Sequence, residues 1–375
     1  MAGVGEVAAV CDRLWPPEWA EPWDNVGLLV GDRTAAVHHC LCALDADAQT
    51  IARAAALDAQ VLISHHPLPF RPLRRVLADD PAAAAVLLAA RHGIAVYAAH
   101  TNFDVHPDGV SRALAAALGL NAAVPLRETG RQKLYKLVTF VPQGAEDAVR
   151  DALAGAGAGH LGNYSHCSFS VTGTGAFRPL PGAHPFIGQI GALEHPTEVR
   201  LEMLVPEERR AAAIQALLAS HPYEEVAYDL IRLENQGASR GLGLVATLRR
   251  ASRLGAFAHQ VSRRLAAPAT RFVGDPGRVV RRVAVCGGAG MELVGAALEA
   301  GADTLVTADA RYHEARDAEA RGLAVVDPGH QATEAPAVPA MAEALRGALL
   351  AARLDVAVSV EPARPDVWRP LQAGH

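Results

Sequence analysis

Apolar residues fall along this chain in two rhythms. Up to about residue 128, short unbroken apolar runs alternate with alanine-rich stretches. Residues 39–46 (HCLCALDA), 59–65 (AQVLISH) and 93–100 (GIAVYAAH) lack polar alternation, the pattern of strands buried on both faces of a parallel sheet. Residues 47–57 and 81–92 between them predict helices. The same grammar returns from about residue 240. There 283–286, 304–307 and 323–326 predict strands, 313–321 a helix, Thr333 the start of another helix, and 356–360 a last strand. Residues 131–236 alternate instead, with strands at 133–141, 168–172, 198–205 and 224–233 and helices at 146–153 and 207–220. That order, β-α-β-β-α-β, predicts a ferredoxin-like domain. The fold class is therefore α/β: a split domain with a parallel or mixed sheet, its halves at 1–128 and 237–375, interrupted by an α+β insertion at 129–236.

Composition narrows the function classes. Of 375 residues, 50% are hydrophobic and 20% charged, an ordinary globular balance. A formal net charge of −5 gives no electrostatic reason to expect a nucleic acid or a membrane surface as partner. The five cysteines are scattered with no CxxC pair, which argues against a disulfide framework or a thiolate zinc site and predicts a reducing, cytoplasmic setting. No stretch approaches about 18 uninterrupted apolar residues, so a soluble protein acting on a small molecule is expected.

In an open parallel sheet, ligands bind beyond the carboxyl ends of the strands. The predicted strands end at Asp45, at His65-His66, at His100 to Asp104, near Thr307 to Asp309, and at Asp327 to His330. All these polar clusters share one rim, whereas chance would scatter them over both. Neighbouring imidazoles on a strand point to opposite sides, so His65 and His66 suit two close ions better than one. Paired histidines at a sheet edge are often merely solvated, and His38-His39, at the start of its strand, is read that way. His330 and Glu334 lie four apart, with Thr333 suggesting a loop-to-helix junction between them, and such a carboxylate can bridge two ions. Asp104 alone reads as a turn residue. Together, His65, His66, Asp104, His330 and Glu334 offer mixed nitrogen and oxygen ligands suited to two zinc, iron or manganese ions. The glycines of CGGAG (286–290) fit a tight strand-to-helix turn better than a phosphate cradle, and Trp23-Asp24-Asn25 reads as a structural plug or a polar site element.

These residues resemble the GTP cyclohydrolase I type 2 homologues, the Nif-three-like dinuclear metal family. The likeness is carried by EPWDNVGLLVG (21–31), SHHPLPFRPL (64–73), AAHTNFDV (98–105), GTGAFRPLPGAHPFIG (173–188), HPYEEVAYDL (221–230), CGGAG (286–290), ADTLVTADARYHEA (302–315) and GHQATE (329–334), in order along nearly the whole chain. The resemblance implies that His66 and Asp104 bind one ion, His65 and His330 the other, and that Glu334 bridges. It also implies that His100 and His313 line the cleft, and that the insertion is PII/CutA-like within a ring-shaped homohexamer. Ala308 stands where a glycine is usual and Pro328 where a small residue is common, both beside the site.

The activity implied is a dinuclear metal-dependent hydrolase, in which a metal-activated hydroxide opens the guanine imidazole ring of GTP, with His100 or His313 as general acid. A phosphoester hydrolase, or a non-catalytic metal-binding regulator or metal-trafficking protein, would suit the same ligands.

Overall fold

A computed structural model describes residues 2–369. The chain forms two compact units, Gly130–Ser239 and the rest, the latter assembled from the chain up to Thr129 and from Arg240 onward.

The larger unit contains a five-stranded sheet in the order Ala357–Val360, His39–Ala43, Val61–Ser64, Ala95–Ala98, Gly27–Val30. Its first four strands run parallel, and the Gly27–Val30 edge strand is antiparallel. The central three strands are almost wholly buried because both faces are covered. Cys40, Cys42, Ile63 and Tyr97 pack on one face against Val7 and Cys11 of helix Val4–Leu14 and Met341 and Leu345 of helix Ala337–Ala351. Leu41, Leu62 and Val96 pack on the other against Ile51, Ala54, Ala85 and Ala89. Asp47 and Asp80 start the helices of that second layer, each accepting a backbone N–H of the first turn, at 2.8 Å from Thr50 and 2.9 Å from Ala83.

A second set of strands in this unit runs Arg271–Val273, Ala324–Asp327, Thr304–Ala308, Val279–Ala289, then residues 244–253 of the long strand Tyr228–Arg253. The middle pairs are parallel and both outer pairs antiparallel. Val283, Val285, Val306 and Val326 form one face of its core with Leu114, Phe257 and Val261.

In the smaller unit the strands lie in the order Tyr228–Arg253, Val124–Pro142, Thr197–Pro206, Ser168–Thr174, with helices Glu146–Gly155 and Arg210–Ser220. Leu137, Val149, Leu153, Leu201, Val205 and Leu217 make its core. Among the described residues no helix is long and apolar enough to cross a membrane.

Three local expectations are corrected. Residues 100–104 do not prolong a strand: Ala95–Ala98 ends early, and Thr101–Asp104 is a short helix whose first N–H, from Thr101, is taken by Asp24 at 3.0 Å. Thr333 does not open a helix. The helix His330–Glu334 begins after Gly329, whose φ of +99° permits the sharp turn, and the Thr333 hydroxyl donates back to the His330 carbonyl at 2.7 Å. Gly287 and Gly288 are not a turn but part of strand Val279–Ala289, and the helical chain begins only at Met291.

Candidate metal centre

The strand Val61–Ser64 delivers His65 and His66 at its carboxyl end, where their backbone N–H groups bond the Ala43 and Leu44 carbonyls. His100 follows the next strand, Asp104 closes the short helix beyond it, and His330 and Glu334 sit one turn apart on a single helix. All lie in the larger unit.

Each of the four imidazoles is held through Nδ1. His65 Nδ1 lies 2.9 Å from the Ala99 carbonyl, His66 Nδ1 2.7 Å from Asp45, His100 Nδ1 2.9 Å from Asp24, and His330 Nδ1 2.7 Å from Asp309. A carbonyl or carboxylate at Nδ1 keeps a proton there and leaves Nε2 as a lone pair, the tautomer a metal ligand needs. Three of these Nε2 atoms surround the buried carboxylate of Glu334: His66 at 2.9 Å, His330 at 3.1 Å and His65 at 3.7 Å. Asp104 Oδ1 lies 3.7 Å from His65 Nε2. Candidate ligand atoms come within 4.8 Å of one another in two groups that share His66: His65, His66, His100, and His66, His330, Glu334.

Two buried atoms of this cluster, His65 Nε2 and Glu334 Oε2, lack a hydrogen-bond partner. Glu334 Oε2 is nevertheless 2.9 Å from His66 Nε2. The two facts agree once the His66 proton is placed on Nδ1 toward Asp45, because a lone pair then faces a carboxylate. Such facing donors call for a cation or an added proton, since an uncompensated buried charge costs on the order of several kcal/mol.

The protonation equilibria carry the same tension. Burial would lower His66, yet its bonds to Asp45 and Glu334 raise it to about 10. His330 is raised to about 9 by its bond to Glu334, against burial. Glu334 resists burial and is held well below the usual carboxylate range by His330, His65 and His66. Burial lifts Asp104 to about 7; nearby His65 opposes that rise and the Glu334 charge adds to it. Asp24, despite burial, is held at about 2 by hydrogen bonds from His100 and Thr101. Without metal, protons take the place of cations among these groups; the donor set fits a metal.

Glycines of strand Val279–Ala289 lie against the site. Gly288, at φ +61°, donates its N–H to Thr333 Oγ1 at 2.9 Å, and a Cβ there would meet Glu334 Oε1 at 2.3 Å. Beside His66 and His330 opens a cavity of about 980 Å³, walled in part by residues 361–369. Arg364 fixes that wall by pairing with Asp47 at 2.9 Å and Asp45 at 3.5 Å, while Gln331 donates to its carbonyl at 2.6 Å.

A family model described as Duf34/NIF3 (NGG1p interacting factor 3) matches residues 2–365. The chain belongs to the Duf34/NIF3 family. Among its relatives, a protein of Bacillus subtilis named GTP cyclohydrolase 1 type 2 homolog is 43% identical over 327 residues, 87% of this chain and 88% of its own. One of the same name from Mycobacterium leprae is 40% identical over 371 residues, 98% and 95% of the two chains. The crystal structure of a Bacillus cereus protein related to NIF3 superposes with a TM-score of 0.88 at 38% identity, covering 98% of this chain and 99% of that one.

Of the site residues read from the sequence, this Duf34/NIF3 chain brings together His65, His66, His100, Asp104, His330 and Glu334. His313 lies exposed on helix Tyr312–Ala320 with its ring 5.2 Å from that of Tyr312, and it is in neither group of candidate ligand atoms. Asp104 contacts His65, and His65, His66 and His330 all face Glu334. His100, expected to line the cleft, is a candidate ligand. The orienting roles of Asp45 and Asp309 went unassigned, although both stand at the strand ends that mark the rim.

Proposed function

We propose that this chain is a hydrolase working from a two-ion centre, of the ring-opening kind that its relatives' name, GTP cyclohydrolase 1 type 2 homolog, suggests. One observation carries the reading: of four imidazoles each held through Nδ1, three turn Nε2 toward the buried Glu334 carboxylate, and His65 Nε2 and Glu334 Oε2 are left without a hydrogen-bond partner. His66, His330 and Glu334 would hold one ion, His65, Asp104 and His100 the other, with Glu334 between them. When bound, such a pair of zinc, iron or manganese ions supplies a nucleophile at neutral pH and polarises the bond under attack. The chain's own part is orientation. Asp45, Asp309, Asp24 and the Ala99 carbonyl fix the ring planes, and Thr333 locks the Glu334 helix to Gly288. His100, with Asp24 at its back, is the group placed to pass a proton at Nε2 when it is not a ligand.

The Gly130–Ser239 unit is read as a ferredoxin-like, PII/CutA-like insertion serving a homohexamer, supported by its strand order. The five free cysteines, four of them buried, suit a reducing cytoplasm.

The test is elemental analysis of purified protein, followed by turnover of GTP and of a phosphoester panel. About two transition-metal ions per chain, lost together with GTP turnover in Glu334→Gln, is the expected result. Protein that neither carries nor takes up zinc, iron or manganese would overturn the centre. Metal without turnover of any substrate would favour the non-catalytic regulator or trafficking protein, and turnover confined to phosphoesters would move the reaction class.

A further inference from the structure

Trp23 and Phe70 are large apolar side chains left 62% and 51% exposed beside a polar cluster. Their rings lie 6.2 Å apart, and each stands within about 6 Å of His100: 6.1 Å for Trp23 and 5.9 Å for Phe70. The His100 ring is in turn 5.1 Å from His65 and 5.7 Å from His66. The wall is held in shape from beneath. Asn25 Nδ2 donates to the Pro69 carbonyl at 2.9 Å, joining the two loops that carry the aromatics, and Asp24 fixes His100. The loop that presents Phe70 continues into Arg71, Arg74 and Arg75, all exposed; among the described residues none of the three is in an ion pair. Of the acids closing that loop, Asp80 is spent capping helix Pro81–Arg91.

We propose that Trp23 and Phe70 form a stacking wall for the base of a nucleoside phosphate, with Arg71, Arg74 and Arg75 taking its phosphates. Every nucleobase has a π-face, and exposed aromatics followed by unpaired cations are the two halves of nucleotide recognition. The order matters for the chemistry. The aromatic rings border the histidines and the cations belong to the outgoing loop, so the ring of the ligand, not its phosphates, faces the cluster. The cavity beside His66 and His330 is a poorer place for phosphates. It carries Asp45, Asp47, Glu361 and Asp366 against Arg369 and an Arg364 already paired to two of them. This inference rests on the hydrolase reading only for which bond is attacked, and it favours ring opening over phosphoester cleavage.

The test is calorimetric titration of the metal-loaded full chain with guanosine, GTP and tripolyphosphate, with metal content measured for every variant. In the Trp23→Ala/Phe70→Ala double variant, guanosine and GTP should each bind roughly 5- to 100-fold more weakly, and Trp23→Phe should retain most of the affinity. The triple variant Arg71→Ala/Arg74→Ala/Arg75→Ala should weaken GTP and leave guanosine unchanged. Guanosine that does not bind the wild type, or binds the double variant equally well at unchanged metal content, overturns the proposal. So does a change in solution mass of the double variant by light scattering, which would assign the wall to a second copy of the chain. Aromatic-dependent binding without GTP turnover would leave the wall standing and remove the ring-opening reading. Turnover with binding indifferent to Trp23 and Phe70 would do the reverse.

Discussion

His66 and His330 illustrate how much of the site is decided by single atoms. Each gives its Nδ1 side to a carboxylate and faces Glu334 with Nε2, so in metal-free protein each binds a proton far more tightly than a free imidazole. The folded values, about 10 and about 9, lie above the unfolded value near 6.5. The stability they contribute is therefore fully present below about pH 6.5 and lost as pH rises through 9 to 10. Thermal melts of chelator-treated protein should show Tm falling across that window, with the fall suppressed when metal is restored. Metal must displace these same protons, so loading in weak buffer should release them and tighten as pH rises. A Tm of the metal-free protein that is flat from pH 6.5 to 10 would contradict this account. From sequence, these two residues were legible as candidate ligands because both follow the carboxyl ends of strands. Their tautomers were not, because Asp45 and Asp309 become partners only when separate strands bring them there.

At the scale of elements, the strand Val279–Ala289 does more than extend a sheet. Its Gly287-Gly288 stretch passes so close to Glu334 that a Cβ at Gly288 would force the carboxylate to shift. Gly288→Ala should therefore combine left-handed backbone strain of about 1–2 kcal/mol with displacement of the Glu334 carboxylate. The expected result is a protein that still folds, with a somewhat lower Tm, but holds metal at substoichiometric levels by elemental analysis. Full metal content in that variant would show that the close approach is incidental. The buried strands were readable from unbroken apolar runs such as VLIS at 61–64 and AVYA at 95–98, where no alternative period competes. The short helices Thr101–Asp104 and His330–Glu334 were not. Neither has its own side-chain cap, and each is started by a group remote in sequence or by the backbone freedom of Gly329.

For the molecule as a whole, every candidate ligand lies in one unit, and the chain leaves and re-enters that unit at adjacent points. Thr129 Oγ1 donates to the Arg240 carbonyl at 3.4 Å. Replacing Gly130–Ser239 by a short Gly/Ser linker should leave metal stoichiometry unchanged, because loop closure over so small a gap costs little. If the smaller unit serves assembly, light scattering of the same protein should report a lower mass. Loss of metal from a folded, linker-joined chain would show that the centre depends on the insertion. The hydropathic rhythm changes near residues 129 and 236, and the smaller compact unit spans Gly130–Ser239. Internal strand pairings were less legible, because antiparallel edge strands such as Gly27–Val30 and Arg271–Val273 are too short to carry a period.

The separation of the ligands along the chain has a consequence for how the protein is made. His65, His66, His100 and Asp104 leave the ribosome more than 200 residues before His330 and Glu334. At roughly 5–20 residues per second, that interval is on the order of tens of seconds. Throughout it the nascent chain holds only one of the two sets of candidate donors. Closing the proposed centre must therefore wait for His330 and Glu334, and a chain broken off before them would lack the carboxylate proposed to lie between the ions.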